Sequence, residues 1–272
     1  MLEGMPELPE VEITARRLDE ALRGVEIESA LAPGINALRT FDPQLHALDG
    51  RAFTGVRRRG KHLVLDLAGD LNVLVHLMSA GRLQLFDKRA SLRDRASRLL
   101  LRLDGGRELR LREFGTQQRA WAKLLPAAAV EFDEAVATLG PEAWPAPPPS
   151  ELAALLDQSR HLHPLLRDQR TIAGIGRSWV DEILWEARLS PFKKGSELAR
   201  EEVESLRVAM DERLGAAIEH YEQAVGDTIP DKLPMPLAVH RRAGEPCPRC
   251  GTRLTEVKAG GFVTTWCRGC QC

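Results

Sequence analysis

The segment Asp168–Pro191, DQRTIAGIGRSWVDEILWEARLSP, decides how this chain is to be read. Gly174 and Gly176 make a tight, close-approach turn, and the residues after Gly176 read as a helix over Ser178–Ala187. A helix entered from such a turn points its first amides out of the loop, and amides so placed bind phosphate. A glycine pair of this kind also serves as a plain turn, but Arg170 and Arg177 flank it and favour an anion.

Working outward, helical periodicity continues. Helices are predicted over Ser150–Gln158 and Ser196–Tyr221, the latter with Ser196 as a plain cap and Glu201 and Glu202 near its positive end. Upstream, LGPEAWPAPPPS at Leu139–Ser150 is too rich in proline to sustain helix or sheet and marks a domain boundary. Before it, from about Glu26 to Leu125, the pattern changes to short apolar stretches such as His62–Leu67, Leu71–Leu77, Leu99–Leu103 and Glu108–Leu111. Ala68-Gly69-Asp70 and Asp104-Gly105-Gly106 separate them as turns, so this half is predicted to be mainly antiparallel β. Ile13–Leu22 returns to helical spacing ahead of it.

The 272 residues suit two domains plus an appendage, and 43% apolar with 28% charged residues is the composition of a soluble chain with a real core. No apolar run approaches the roughly 20 residues of a membrane span, and no basic start followed by an apolar stretch suggests secretion. A cytoplasmic protein without membrane partners is expected. The net charge of −1 gives no global sign of nucleic acid. Locally, Arg57–Lys61, Arg107–Arg112, Arg167–Arg177 and Arg241–Arg242 are basic islands, each readable as a solvated face, and together as a phosphate track.

All five cysteines lie between Cys247 and Cys272, which speaks against a disulfide framework and for metal. Cys247-Pro-Arg-Cys250 and Cys267-Arg-Gly-Cys270 are two C-x2-C pairs sixteen residues apart, a spacing that fits one tetrahedral zinc with a hairpin turning at Gly260-Gly261. Four thiolates leave no open position, so the zinc is structural. Cys272 is left over.

The amino-terminal stretch MPELPE, Met5–Glu10, holds the remaining chemistry. Proline behind an initiator methionine becomes a secondary amine when that methionine is removed, with a pKa near roughly 7.7. Glu7 beside such an amine could deliver the proton that imine chemistry at a sugar carbon requires. The same two glutamates could equally serve the positive end of the following helix.

Together, MPELPEVE, DQRTIAGIGRSWVDEILWEARLSP and the carboxy-terminal GEPCPRC…CRGCQ resemble the formamidopyrimidine-DNA glycosylase and endonuclease VIII family, in order and over almost the whole chain. The resemblance implies an α+β multidomain protein: an amino-terminal β-sandwich, a helix-two-turn-helix domain and a zinc-finger β-hairpin. On this chain we expect a catalytic domain over 5–135, a proline-rich linker over 136–150, a DNA-binding helical domain over 151–238 and the finger over 239–272. The implied partner is damaged double-stranded DNA, bound by a monomer at the nucleoid. Implied too is an activity that flips out and excises an oxidised base through a Schiff base, then cleaves the abasic site by elimination. Pro6 would be the nucleophile, Glu7 the proton donor, Glu10 a supporting group and Lys61 a contact to DNA near the lesion. Translation is expected to start at Met5, since Pro6 carries no free amine otherwise.

Several positions depart from the family pattern. Arg177 stands where the family has asparagine, and a charge-assisted contact to phosphate replaces the neutral one. Met78 lies one residue before the place of the void-filling methionine, which Ser79 occupies, and Glu113–Arg119 carries glutamines in place of the usual wedge pair. Gln117 or Phe114 then fills the vacated stack, unless Phe114 is core. Phe262 replaces a lesion-proximal arginine, with Lys258 within reach of the same phosphates. The segment Gln223–Val239 is shorter than the loop that caps 8-oxoguanine, which favours oxidised pyrimidines. The alternative from another class is a damage- or structure-specific DNA-binding protein without catalysis.

Overall fold

Ten strands, five α-helices and four short 3-10 helices make up the regular structure among the described residues, which are 5–34, 36–91, 94–114, 117–259 and 262–271 of a computed structural model. Contacts divide them into two units, 1–137 with 221–234, and 138–220 with 235–272.

The first unit opens with α1 (Leu8–Leu22), followed by β1 (Ile27–Leu31), β2 (Phe53–Arg59), β3 (His62–Leu67), β4 (Leu71–His76), β5 (Gly81–Phe86), β6 (Ser97–Leu103), β7 (Glu108–Glu113) and β8 (Trp121–Pro126). They form two antiparallel four-stranded sheets, ordered β1-β6-β7-β5 and β2-β3-β4-β8. Alternation sorts the side chains: Leu63, Leu65, Val73 and Val75 from one sheet meet Leu83, Leu99, Leu101, Leu109 and Leu111 from the other in a single core, with Val11, Leu18 and Leu22 of α1. This is a β-sandwich.

The run His62–Leu67 reads as continuously apolar because both faces of its sheet are covered. Val64 and Leu74 point away from the sandwich and pack with Trp121, Val130 and Val136. The other face of α1 is covered in the same manner by Ile13 against Tyr221, Val225, Ile229 and Leu233 of the returning segment.

The second unit contains α2 (Pro149–Leu156), α3 (Leu162–Arg167), α4 (Arg177–Glu186), the first part of α5 (Arg200–Ala224), and the hairpin β9 (Thr255–Ala259) with β10 (Phe262–Trp266). Helix α3 was not expected from the sequence; Pro164 inside a six-residue helix hides its periodicity. Nor does α5 start at Ser196. Residues Gly195–Glu197 make one 3-10 turn, and the carboxylate that closes the helix start is Glu202, whose Oε2 accepts the Ala199 N–H at 2.8 Å. The proline-rich stretch is ordered against the glycine loop. Ala173 N–H donates to Pro141 O and Gly140 N–H to Gln169 O, and a Cβ on Gly140 would sit 2.5 Å from Thr171 O, so only glycine fits.

No helix among the described residues is long and apolar enough to cross a membrane. The Gly260-Gly261 turn, the Phe262 side chain, Cys272 and residues 1–4 lie outside the described residues.

Candidate active site and metal centre

Helix α1 begins one residue after Glu7, with Pro9 in its first turn where the missing N–H costs nothing. Pro6, Glu7 and Glu10 are all buried. Glu7 is the N-cap, and the Glu10 carboxylate reaches back to accept its N–H at 2.9 Å. The helix-capping reading of these glutamates is therefore realised, and it places two carboxyl groups beside Pro6. Burial first, then the neighbouring charge of Glu7, raises the Glu10 carboxyl from 4.5 to about 7. Tyr221 O–H donates to Glu10 Oε1 at 2.7 Å and opposes that rise. Tyr221 escaped the sequence reading, since nothing local marks a partner 211 residues away.

Lys61 sits, half-buried, in the two-residue turn that joins Arg59 to His62. Arg58 fastens this turn to α1, with Nε on Glu12 Oε2 at 2.8 Å and Nη1 on Gly60 O at 3.2 Å. His62 pairs across the ladder with His76, ring centroids 4.6 Å apart, and His76 stacks on Trp121. Burial holds His62 down at about 4, and burial with the charges of His62, Lys61 and Arg39 holds His76 at about 3. Both imidazoles are neutral at working pH.

His76 Nδ1 accepts the Met78 N–H at 2.9 Å, which shapes the turn into β5. Met78 has φ of 52°, the left-handed region usually left to glycine, and its side chain packs half-buried against the Trp121 cluster. The exposed neighbour Ser79 points its Oγ to Met5 Sδ at 3.9 Å, which brings this turn beside the chain entering Pro6. Phe114 is not core: it is 46% exposed, with the Arg112 guanidinium 4.7 Å from its ring centroid. Gln117 is exposed in the same loop. Buried Glu113 closes the loop by accepting the N–H groups of Arg119 and Ala120, both at 2.9 Å.

In the second unit, Gln169 wires the glycine loop. Its Oε1 accepts the Gly174 N–H at 3.0 Å, and its Nε2 donates to Ile175 O at 2.7 Å and Arg167 O at 2.9 Å. Gly174 has φ of 105°, closed to other residues. Gly176 is the N-cap of α4, whose first turn holds no acidic residue, and Arg177 is exposed at its first position. The basic islands are less available than the sequence suggests. Arg57 pairs with Asp66, Arg58 with Glu12, Arg107 with Asp104, Arg110 with Glu108, Arg112 with Asp231 and Arg242 with Glu245. Lys258, on β9, is 77% exposed and 3.5 Å from Glu256 Oε1.

The four cysteines predicted to hold metal converge. The Sγ atoms of Cys247, Cys250, Cys267 and Cys270 lie within 4.8 Å of one another, the contacts between knuckles being 3.6, 3.4 and 3.5 Å. A zinc tetrahedron with bonds of about 2.3 Å has edges of about 3.8 Å, so this donor set fits the ion. Trp185 Nε1–H donates to Cys247 Sγ at 3.3 Å, and the Arg249 guanidinium lies 4.2 Å from the Trp185 ring centroid. A zinc-bound thiolate is therefore supported from α4.

Three sequence profiles match this chain: the formamidopyrimidine-DNA glycosylase N-terminal domain over 5–117, the formamidopyrimidine-DNA glycosylase H2TH domain over 139–228, and the zinc finger found in FPG and IleRS over 244–271. The chain is 33% identical to formamidopyrimidine-DNA glycosylase of Streptococcus thermophilus, covering 98% of this chain and 99% of that one. Against the Moorella thermoacetica protein of the same name identity is 36%, over 93% and 95%. Among solved structures, Lactococcus lactis Fpg (MutM) bound to DNA containing N7-benzyl-Fapy-dG superposes with a TM-score of 0.88 at 27% identity, covering 98% and 99%. The same bacterium's Fpg on DNA with an abasic site gives 0.87 at 26%, covering 97% and 99%.

Proposed function

Because this chain belongs to the formamidopyrimidine-DNA glycosylase family of zinc-finger DNA repair enzymes, glycosylases with abasic-site lyase activity, we propose that it works through Pro6. With Met5 and the residues before it removed, the Pro6 nitrogen is a secondary amine. It attacks C1′ of an everted nucleotide as the bond from C1′ to the base breaks, the base leaving with the proton the amine loses; the C1′–O4′ bond then opens, O4′ taking a proton, and the iminium so formed is the Schiff base from which elimination cuts the strand. Glu7 delivers the proton, Glu10 supports it, and Lys61 contacts the DNA beside the lesion. Residues 5–135 supply this chemistry, and 151–238 grip the duplex, with Arg177 at the α4 start on a phosphate. The finger over 239–272 adds Lys258, while Gln117, Phe114 and Met78 border the vacated stack. The enzyme acts as a monomer, in the cytoplasm at the nucleoid.

The observation that carries this reading is the pair of buried carboxyl groups beside Pro6, joined through the Glu7 amide. The substrate reading is oxidised pyrimidines. The segment after α5 supports it by being pinned down: Gln84 donates to Ile229 O at 2.7 Å, Arg112 pairs with Asp231, and Ile229 and Leu233 are buried. A segment held there is poorly placed to fold over a purine.

Borohydride trapping on duplex DNA with an abasic site tests the mechanism, using protein that begins at Met5 beside the full chain. An adduct mapped to Pro6 in the Met5 form alone is the expected result. An adduct at Lys61 in both forms would replace the nucleophile, and tight binding without any adduct would leave a DNA-binding protein without lyase chemistry. Excision of oxidised pyrimidines set against 8-oxoguanine, on otherwise identical duplexes, tests the substrate.

A further inference from the structure

The buried acid behind Pro6 is held from a distant part of the chain. Glu10 uses both carboxylate oxygens: Oε2 accepts the N–H of the Pro6–Glu7 peptide at 2.9 Å, and Oε1 accepts the Tyr221 hydroxyl at 2.7 Å. Tyr221 is fully buried, its ring packed with Ile13, Val225, Ile229 and Leu233. The segment 221–234 thus covers α1 with apolar side chains and also delivers one hydroxyl to the carboxylate that fixes the peptide next to Pro6. Thr14 Oγ1, one turn on, donates to the Glu10 backbone carbonyl at 2.7 Å and fixes the residue from the other side.

We propose that Tyr221 is a positioning residue for the reaction: its hydroxyl clamps the Glu10 carboxylate against the Pro6–Glu7 peptide and so fixes the direction of the Pro6 nitrogen. The inference rests on the reading of Pro6 as nucleophile. The charged and titratable groups around the clamp are Glu7 at the start of α1, Tyr221 itself, and Arg82 of β5, whose charge reaches Tyr221. Burial, then the charges of Glu10 and Glu7, keeps the Tyr221 hydroxyl far above its usual range, so it remains a donor at every working pH. Its hydrogen bond favours the ionised form of Glu10, against burial and Glu7, which together bring that carboxyl up to about 7. Removing the hydroxyl therefore moves the Glu10 titration upward. At neutral pH the carboxyl would then be mostly protonated, with its grip on the peptide N–H weakened.

Tyr221→Phe keeps the ring in its apolar cluster and removes only the donor. The test uses the Met5-start protein in wild-type, Tyr221→Phe, Glu10→Gln and doubly substituted forms. Two readouts are taken: carbon-13 NMR titration of the glutamate side-chain carboxyls, and the pH profile of single-turnover abasic-site cleavage. Tyr221→Phe should move the Glu10 titration and the acid limb of the rate profile up by roughly one to two pH units, the worth of one hydrogen bond to a charged group. In the Glu10→Gln background it should shift nothing further. A rate loss equal at every pH and present in both backgrounds would reduce Tyr221 to a packing residue and overturn the proposal. So would an adduct at Pro6 together with a Glu10 titration indifferent to Tyr221. If wild-type protein gives no Pro6 adduct, the nucleophile reading itself fails, which the trapping arm reports separately.

Discussion

Glu182 shows how much one buried carboxylate can organise. It is fully enclosed, and its two oxygens accept the N–H groups of Ala238, Val239 and His240 at 2.8 to 2.9 Å and the Arg213 guanidinium at 2.8 Å. Its neighbour Asp181 accepts the Thr265 N–H at 3.0 Å and pairs with His240 Nδ1 at 2.7 Å, so two adjacent residues of α4 hold the chain that leads into the finger. Glu182→Ala would leave four donors without their acceptor and should cost roughly 3–5 kcal/mol in thermal or denaturant unfolding. Glu182→Gln, which keeps one acceptor oxygen, should cost less; equal losses would show that volume and not charge matters there. In the sequence these acids read only as part of a helix, because the donors they accept from lie 31 to 84 residues away. Glu7 and Glu10 were legible as a cap because that role is local. Tyr221 was not, for the opposite reason.

Among the elements, the strands and turns of the sandwich were readable where apolar runs end at glycine turns, as at Gly69 and at Gly105-Gly106. Strands β1, β2, β5 and β8 were less so, because arginines and polar residues interrupt their apolar positions. The β3–β4 hairpin makes a pH prediction. His62 is buried with Nδ1 unpartnered among the described residues, and its folded-state pKa of about 4 lies below the ordinary 6.5. A depressed value favours the neutral form in the fold, so this contribution is intact above 6.5 and is lost as pH falls toward 4. His62→Phe should therefore gain about 2 kcal/mol over wild type at pH 5 relative to their difference at pH 8, read as the change in unfolding free energy with pH. A pH-independent difference would refute it. The finger makes another. Chelating zinc should loosen the Cys247 thiolate that takes the Trp185 N–H and change the tryptophan emission, an effect that Trp185→Phe should largely remove. An unchanged emission in the wild-type protein would mean that the α4 contact forms without the metal. The four cysteines were fully legible because ligand spacing is set by coordination chemistry, whereas the indole behind them is specified only by the fold.

At the scale of the whole molecule, electrostatics are nearly balanced. Six arginines of the basic islands are engaged with carboxylates, and the net charge is −1. Binding to duplex DNA should therefore rest on few phosphate contacts. We predict a slope of log K against log salt shallower than about −5, measured by fluorescence anisotropy on a duplex with an abasic site; a slope near −8 or steeper would mean that these ion pairs open on DNA. The three motifs that reveal the family were all in plain view, being stretches in which backbone conformation or metal geometry dictates residue type. The division of the chain was not, since residues 221–234 leave the helical unit and rejoin the first one. That return has a practical meaning for anyone hoping to exchange parts between relatives. The sandwich half is not a contiguous cassette: a gene cut at Ala137 would encode α1 with Ile13 uncovered and Glu10 deprived of its phenol. A working transplant has to carry its distant fourteen-residue patch, 221–234, along with it.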